Sequence, residues 1–227
     1  MKSYYRFVGI FLLTLIISTA ALGQKPKQIV IVNSDTASVN EILRPGIEKL
    51  VGHVILKHDS AYMFCDSAFY NSKQQNFKAF GRVHVQSPTE DMLDTVNLWG
   101  DSLNYSGRDK VARVRSNVIL QKDSLYLYTE NLDYNISEDI GNYFDGGRTL
   151  NGEDTLVSRL GYYYANEDEI FFKDSVKIFN PKYTMYSDTL KHHTKKKVSY
   201  ILGPTNIVST DTTGSFLYCE NGWYDHN

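Results

Sequence analysis

Five acidic residues stand in the same sequence setting, about 30 residues apart. Each comes one place after a small residue and three places after an apolar residue that is unbranched at Cβ. They are Asp66, Asp101, Glu130, Asp188 and Glu220. Repeated carboxylates could act in catalysis or bind calcium, but each unit supplies only one, without the Asp-x-Asp-x-Asp-Gly spacing of a calcium loop. The spacing therefore favours structural residues at a kink in a repeated element.

Tyrosines form a second column, four places after the acidic position. They are Tyr70, Tyr105, Tyr134, Tyr163 and Tyr224. A ladder of phenol rings could stack on sugars, or it could fill the core at one edge of a sheet, with the hydroxyl at a polar margin. The sequence favours packing and leaves the sugar platform as the alternative.

No other motif points to catalysis. The six histidines lack metal-site spacing, and no nucleophile elbow or phosphate-cradling glycine loop is present. We therefore predict neither an enzyme nor a cofactor. One basic cluster contains Lys195, Lys196 and Lys197; we expect a solvated loop there, with contact to an anionic head group as the sharper alternative.

The columns of the repeat indicate how these residues are positioned. Before the acidic residue the apolar and small positions share one face, whereas after it the apolar positions lie two and four places on. Both halves can face the core only if the strand has a one-residue irregularity at the acidic step, as a β-bulge provides. The carboxylates would lie at this kink and could accept backbone N–H groups left unpaired there.

Each unit also opens with a Gly-x-Val type strand, such as Gly81-Arg82-Val83, and has two polar turns. Apolar residues at every second place are typical of half-buried strands, and helical periodicity is absent after residue 23. The prediction is an all-β meander of two-strand units forming a single domain over residues 24–227.

The N-terminus reads as a leader for export. Lys2 and Arg6 precede an apolar run over residues 7–17, and small residues lead to Gly23, which predicts a signal peptide over residues 1–23. Removing it takes away two basic residues and no acidic one, so the formal charge goes from −2 to −4. That balance does not suggest a nucleic-acid partner.

Export permits disulfides, but the repeat places Cys65 in the first full unit and Cys219 in the last. Stacked units would hold them far beyond the roughly 7 Å Cα separation that a disulfide tolerates. We therefore expect two free, buried thiols.

The leader, the Gly-x-Val strand and the apolar-x-small-acidic-x-apolar-x-Tyr strand together resemble the OstA/LptA family of periplasmic lipopolysaccharide-transport proteins, especially its OstA-like N-terminal domain. The resemblance covers residues 29–224, with Thr129-Glu130-Asn131-Leu132-Asp133-Tyr134 as one well-kept copy. Two departures stand out: Arg159 replaces the acidic residue in the fourth unit, and His192 replaces the tyrosine in the fifth.

The resemblance implies a twisted β-jellyroll in the periplasm that shields the acyl chains of lipopolysaccharide and bridges toward the outer membrane. It also implies edge-to-edge strand pairing with other β-jellyroll proteins, including copies of itself. On this reading the slot is lined by the apolar and tyrosine columns, namely Met63, Leu98, Leu127, Leu156, Met185, Leu103, Leu132, Tyr70, Tyr105, Tyr134 and Tyr163. The alternative is a secreted β-solenoid that binds polysaccharide or acts as a scaffold.

Overall fold

The computed structural model describes residues 28–42, 44–89 and 92–226, which form β-strands joined by turns. Over these residues the all-β prediction is confirmed, and no helix there is long and apolar enough to cross a membrane. The predicted signal peptide lies outside the described residues. The strands are β1 Val30–Asn33, β2 Thr36–Val39, β3 Glu48–His58, β4 Ala61–Asn71, β5 Asn76–Pro88, β6 Thr95–Ser106, β7 Val111–Lys122, β8 Leu125–Asn135, β9 Ile140–Tyr143, β10 Gly147–Asn151, β11 Asp154–Ser158, β12 Leu160–Tyr164, β13 Glu169–Asn180, β14 Tyr183–His193, β15 Val198–Ile201, β16 Thr205–Ser209, β17 Phe216–Cys219 and β18 Gly222–Asp225.

Strands β3 to β8 pair antiparallel in chain order, as do β13 and β14, so the sheet is a meander. Strands β3 to β8, β13 and β14 are long, with 11 to 13 residues each. Pairs of shorter strands take the place of one long strand that is interrupted at the kink. Thus β9 and β10 both pair with β8, and β11 and β12 both pair with β13. The predicted architecture of two-strand units is therefore confirmed.

A kink divides each long strand into two halves. Between β3 and β4 the register shifts, so that Gly52 and His53 face the single residue Asp66. Both residues of that pair have positive φ, 80° for Gly52 and 44° for His53. Two adjacent residues in this left-handed region turn the strand sharply. The same paired conformation recurs at three further kinks, Gly81-Arg82, Ser116-Asn117 and Asp174-Ser175.

The burial pattern changes parity at the acidic step. In β4 the buried positions are Met63 and Cys65 before Asp66, and Ala68 and Tyr70 after it. The sequence suggests the irregularity on the acidic strand itself, whereas the additional residue of the bulge belongs to the neighbouring strand. That position is favoured because each pair contains a glycine, an asparagine or an aspartate, and these residue types adopt positive φ at lower cost than most others.

The kinks fold the sheet into two layers that face each other. Layer A contains the half-strands with Leu50, Ala68 and Leu132; layer B contains those with Met63 and Leu127. The inward residues of both layers belong to one hydrophobic cluster. The core thus runs along the meander, between the line of kinks on one side and the turns on the other.

The two cysteines are free. Cys65 is buried and burial raises the pKa of its thiol to about 11, whereas Cys219 is only half-buried, contrary to the expectation of two buried thiols. Cys219 lies on β17, where every residue is exposed or half-exposed because β17 pairs only with β16 in the described part of the chain.

The kink geometry predicts that Gly81→Ala is more costly than alanine at a glycine of similar φ. A Cβ on Gly81 (φ 75°) would lie 2.5 Å from Oδ2 of Asp66, whereas Gly46 (φ 71°) has open space around it. We expect Gly81→Ala to lower the free energy of unfolding by about 2–3 kcal/mol and Gly46→Ala by about 1 kcal/mol. Urea denaturation of both variants measures this, and equal losses would contradict the crowding at the kink.

Candidate lipid-binding core and its polar seam

The eleven residues predicted to line a slot all face the space between the layers. Each is at most 5% exposed, and they contact one another as part of a filled core. The leucine and methionine positions before the acid lie in layer B, and the leucine and tyrosine positions after it lie in layer A. The structure therefore brings the predicted residues together, in a closed rather than an open interior.

The tyrosine column marks the margin of this core. The Tyr70 hydroxyl donates to the carbonyl oxygen of Ile29 at 3.0 Å, and the Tyr105 hydroxyl lies 2.7 Å from Nδ1 of His58. Tyr134 donates to Oδ1 of Asp139 at 2.9 Å. Burial raises the pKa of the Tyr105 and Tyr134 hydroxyls. These groups stay protonated, with the ring in the core and the hydroxyl at the turns.

Turns of layer A and layer B meet along this margin through polar contacts, which we call the seam. The first member is the ion pair of Lys110 with Asp59, at 2.5 Å. The second is Lys122, whose side chain is 4% exposed and whose Nζ lies 2.8 Å from Oδ1 of Asp168 and 2.6 Å from the carbonyl oxygen of Ala165. Burial alone would raise the pKa of Asp168, but hydrogen bonds from Lys122 and Lys195 outweigh it and lower that pKa.

Lys195 also belongs to the seam. Its Nζ lies 3.0 Å from Asp168 and 3.3 Å from Asp94, and its hydrogen bond to Asp168 raises its pKa. The predicted head-group contact at Lys195 is thus already occupied by carboxylates. Lys196 and Lys197 lie on the same turn, between β14 and β15, where the backbone N–H of Lys196 donates to Nδ1 of His193 and the carbonyl of Lys197 accepts from His226.

The seam continues into a buried polar network. Nε2 of His192 lies 2.9 Å from Nδ2 of Asn151, and Nδ1 of His192 lies 3.0 Å from Oγ of Ser199. His226 bridges Ser199 at 2.8 Å and Asp154 at 2.9 Å. Burial lowers the pKa of His192 to about 3, so its ring is neutral at neutral pH.

The order Ser199, His226, Asp154 matches that of a hydrolase triad, but its surroundings do not. Ser199 is fully buried and its hydroxyl contacts two imidazole rings. Nδ1 of His226 is shared with the Tyr183 hydroxyl at 2.5 Å. In this structure the network holds layer A to layer B, and Ser199 is closed off from solvent.

The repeated acids lie along the opposite margin, at the kinks. Asp66 accepts from Nε of Arg82 at 2.9 Å, and Asp101 accepts from Nδ2 of Asn117 at 2.7 Å. Their donors are thus side chains on the next strand, since the left-handed pair there turns its second side chain toward the acid. The backbone N–H of Asn117 reaches Glu130 only at 3.4 Å.

The last two acids differ from this arrangement. Asp188 accepts from the hydroxyl of Thr189 at 2.8 Å and faces Gly203 on the next strand path. Glu220 lies in the exposed break between β17 and β18 and accepts from the Tyr218 hydroxyl at 2.7 Å.

Arg159, the departure in the fourth unit, is explained by an exchange of charges. It pairs with Asp174, which occupies the left-handed position on the next strand. At the earlier kink the acid Asp66 pairs with Arg82, which is the second residue of its left-handed pair, whereas Asp174 is the first of its own. An ion pair across the kink is thus retained, with the positive and negative side chains exchanged between the two strands. Arg159 helps to lower the pKa of Asp174.

The described residues contain no group of three potential ligands that could hold a metal ion.

Fold and core together define an all-β jellyroll protein with an apolar interior between two kinked layers. The sequence matches the profile of the family described as OstA-like protein over residues 26–188. The chain belongs to the OstA-like family, as predicted.

One of the solved structures that match is similar to part of the chain. It is the crystal structure of LptH, described as the LptA homologous periplasmic component of the lipopolysaccharide transport device from Pseudomonas aeruginosa. The two share 15% sequence identity with a TM-score of 0.46, over 52% of this chain and 82% of that one. A search of curated proteins gave no match.

The seam is the feature that sequence reasoning missed. One signal was present, because His192 occupies the tyrosine column and an imidazole at an inward position needs polar partners. Those partners, Asn151 and Ser199, lie 41 and 7 residues away along the chain. Nothing in the period of the repeat specifies which turns meet across the core.

The buried imidazole predicts a loss of stability in acid. His192 has a folded pKa of about 3 against about 6.5 in the unfolded chain, so below pH 6.5 the unfolded state binds the additional proton. Stability should fall by about 1.4 kcal/mol per pH unit from this residue. Asp154, whose pKa is lowered, keeps its charge over this range.

Urea denaturation at pH 7 and pH 5 measures the effect. His192→Gln should flatten the pH dependence, while the matched control His193→Gln, on the half-exposed neighbour, should keep it. An unchanged slope in His192→Gln would contradict a neutral buried imidazole.

Proposed function

We propose that this protein is a periplasmic lipopolysaccharide-transport protein that shields the acyl chains of lipid A between layers A and B. The observation that carries the proposal is the continuous apolar core on an OstA-like fold, with every predicted lining residue facing inward. Its role is to bind and pass on a lipid rather than to catalyse a reaction, and export by the leader over residues 1–23 would place it in the periplasm.

The energetics of such a core suit an acyl chain. Each methylene that leaves water contributes about 0.8 kcal/mol. The inward columns consist of leucine, methionine and tyrosine side chains, for example Leu98, Leu127 and Leu132. None of these columns places a charged group along the middle of the core. Acyl chains would be held by area and shape, with no specific polar contact required.

Loading requires the layers to separate, since the lining residues are buried against one another. The kinked side is joined by continuous backbone, whereas the seam is joined mainly by side chains such as Lys110 and Asp59. The Lys110–Asp59 pair, in which both side chains are partly exposed, contributes little net stability, because water replaces the partner when the pair separates. We infer that the acyl chains enter along the seam.

Assembly with partners would use the two ends of the meander. In the described chain, β1 and β2 pair only with β3, and β17 and β18 pair only with β16 and β15. Unpaired strand edges add strands from other chains. Phe216 and Trp223 on the last strands are 76% and 69% exposed, which supplies apolar surface for such a contact. The proposed partners are β-jellyroll proteins of the same transport system, including a second copy.

Photo-crosslinking tests the lipid site. A photoreactive residue at Leu127 or at Tyr134 should form an adduct with lipopolysaccharide in cells, because both side chains face the core. The control position is Asp133, which lies between them on β8 and faces outward. Absence of adducts from Leu127 and Tyr134 in folded protein, or equal labelling from Asp133, would overturn the proposal.

Locking the seam tests the route of entry. In a Cys65→Ala, Cys219→Ala background, Asp59→Cys and Lys110→Cys can be joined by a short bis-maleimide across the seam. We expect the joined protein to lose at least about nine-tenths of its crosslinking to lipopolysaccharide, since parted layers are needed for loading.

The matched control joins two strands within layer A. Asn76→Cys and Ser106→Cys face each other on β5 and β6, so the same reagent leaves the seam free. Equal loading of the seam-joined and control-joined proteins would show that acyl chains enter elsewhere.

A further inference from the structure

The solvent-facing side of layer B, which we call the aromatic face, carries a row of rings across several strands. The pairing register places Phe64 beside His84, and His84 beside Trp99. The His84 and Trp99 rings are stacked, with centroids 4.8 Å apart and an interplanar angle of 8°. The row continues on β8, where Tyr126 and Tyr128 stack on each other.

Amide side chains lie beside these rings. The adjacent row on the same face pairs Tyr62 with Gln86, Gln86 with Asn97, and Asn97 with Gln121. Amides donate and accept hydrogen bonds, which suits ligands rich in hydroxyl groups. Aromatic rings interleaved with amides therefore present both apolar and polar contacts to a sugar.

Away from the kinks, where Glu130 lies, the charged side chains of the aromatic face are all positive. No outward position of layer B between kink and turn, from β3 to β17, holds an aspartate or a glutamate. Three cations lie over tyrosine rings instead: Lys57 over Tyr62 at 4.7 Å, Arg148 over Tyr128 at 5.0 Å and Lys177 over Tyr186 at 5.8 Å.

The outward side of layer A is different. There Arg113 and Arg115 pair with Asp133, and Lys191 pairs with Glu169 at 3.0 Å. These three cations of layer A are paired with carboxylates, whereas the three of the aromatic face lie over rings that leave their charge available. The aromatic face thus combines rings with positive charge and no carboxylate between kink and turn, whereas the outward side of layer A mixes charges of both signs.

A hollow of about 430 Å³ lies in this face between β7, β8 and β10. Ile119 and Tyr128 form its apolar part, and Asn117, Glu130 and Arg148 bring polar groups to it. Gly146 and Gly147 on the third side have no side chains to fill it. A ring, a guanidinium, a carboxylate and an amide thus converge on a space that can hold a sugar ring.

We propose that the aromatic face binds an acidic oligosaccharide, namely the saccharide part of lipopolysaccharide, with the hollow at Tyr128 and Arg148 as its central subsite. The choice of this glycolipid as the source rests on the proposed function. Tyr128 contacts the apolar side of a sugar ring, and Glu130 and Asn117 bind its hydroxyls. Arg148 and Lys177, which lie two strands apart and therefore about 10 Å from each other, bind its acidic groups.

The test uses fully deacylated lipopolysaccharide, which has no acyl chains and reports on the saccharide alone. Calorimetric titration of the purified protein should show binding that weakens about tenfold in Arg148→Gln and in Tyr128→Ala, a change of about 1.4 kcal/mol. The matched control is Lys191→Gln: Lys191 also lies over a tyrosine ring, that of Tyr200 at 4.8 Å, but on layer A and paired with Glu169. It should leave the affinity unchanged.

Three results would overturn the inference: no binding of the deacylated saccharide, an equal loss in Lys191→Gln, or equally tight binding of a single-stranded DNA oligonucleotide of matched charge. The last would show a surface for polyanions in general. Failure here is distinguishable from failure of the proposed function, because Arg148→Gln leaves the core intact. If photo-crosslinking from Leu127 persists while the saccharide does not bind, only the aromatic face is refuted.

Discussion

The structure depends on one backbone constraint, the left-handed residue pair that faces a single residue of the neighbouring strand. At β3 and β4 this pair is Gly52-His53 against Asp66. It lets a long strand turn between the two layers without ending, and it changes which positions face inward. Because every strand bends at the same place, the bends align into one margin and the turns into the other. A closed apolar core with two chemically different margins follows from that geometry.

The two margins have different strengths. At the kinks the layers are joined by continuous chain, and contacts such as Arg82 with Asp66 add exposed ion pairs to a junction that is already covalent. At the seam the layers are joined mainly by side chains, some of them buried. Lys122 is nearly inaccessible and needs Asp168 to compensate its charge, so the pair is costly to break on one side only. We therefore expect the layers to separate at the seam, where polar groups can exchange their partners for water, rather than at the kinks.

Departures from the repeat are compensated locally. Arg159 exchanges charge with Asp174, and His192, in place of a tyrosine, recruits Asn151 and Ser199 in the core. The first exchange preserves a contact between neighbouring strands, and the second joins the two layers across the core. The outward positions are less constrained: layer B carries rings and cations there, and layer A carries charges of both signs. The repeat fixes the inward positions, and the outward positions are left to differ between the two faces.

The sequence by itself determined the strands, the two-strand unit, the parity change and the inward columns. These follow from local alternation, and a residue such as Leu127 faces the core because its neighbours at every second place are apolar. Only the tertiary structure decided that the additional bulge residues lie on the neighbouring strand, that the interior is closed, and which turns meet at the seam. Lys122 and Asp168 are 46 residues apart along the chain. No local sequence pattern encodes a contact between residues so far apart. Such contacts arise from the bend angle of the layers, which depends on all the kinks together rather than on any one segment of the chain.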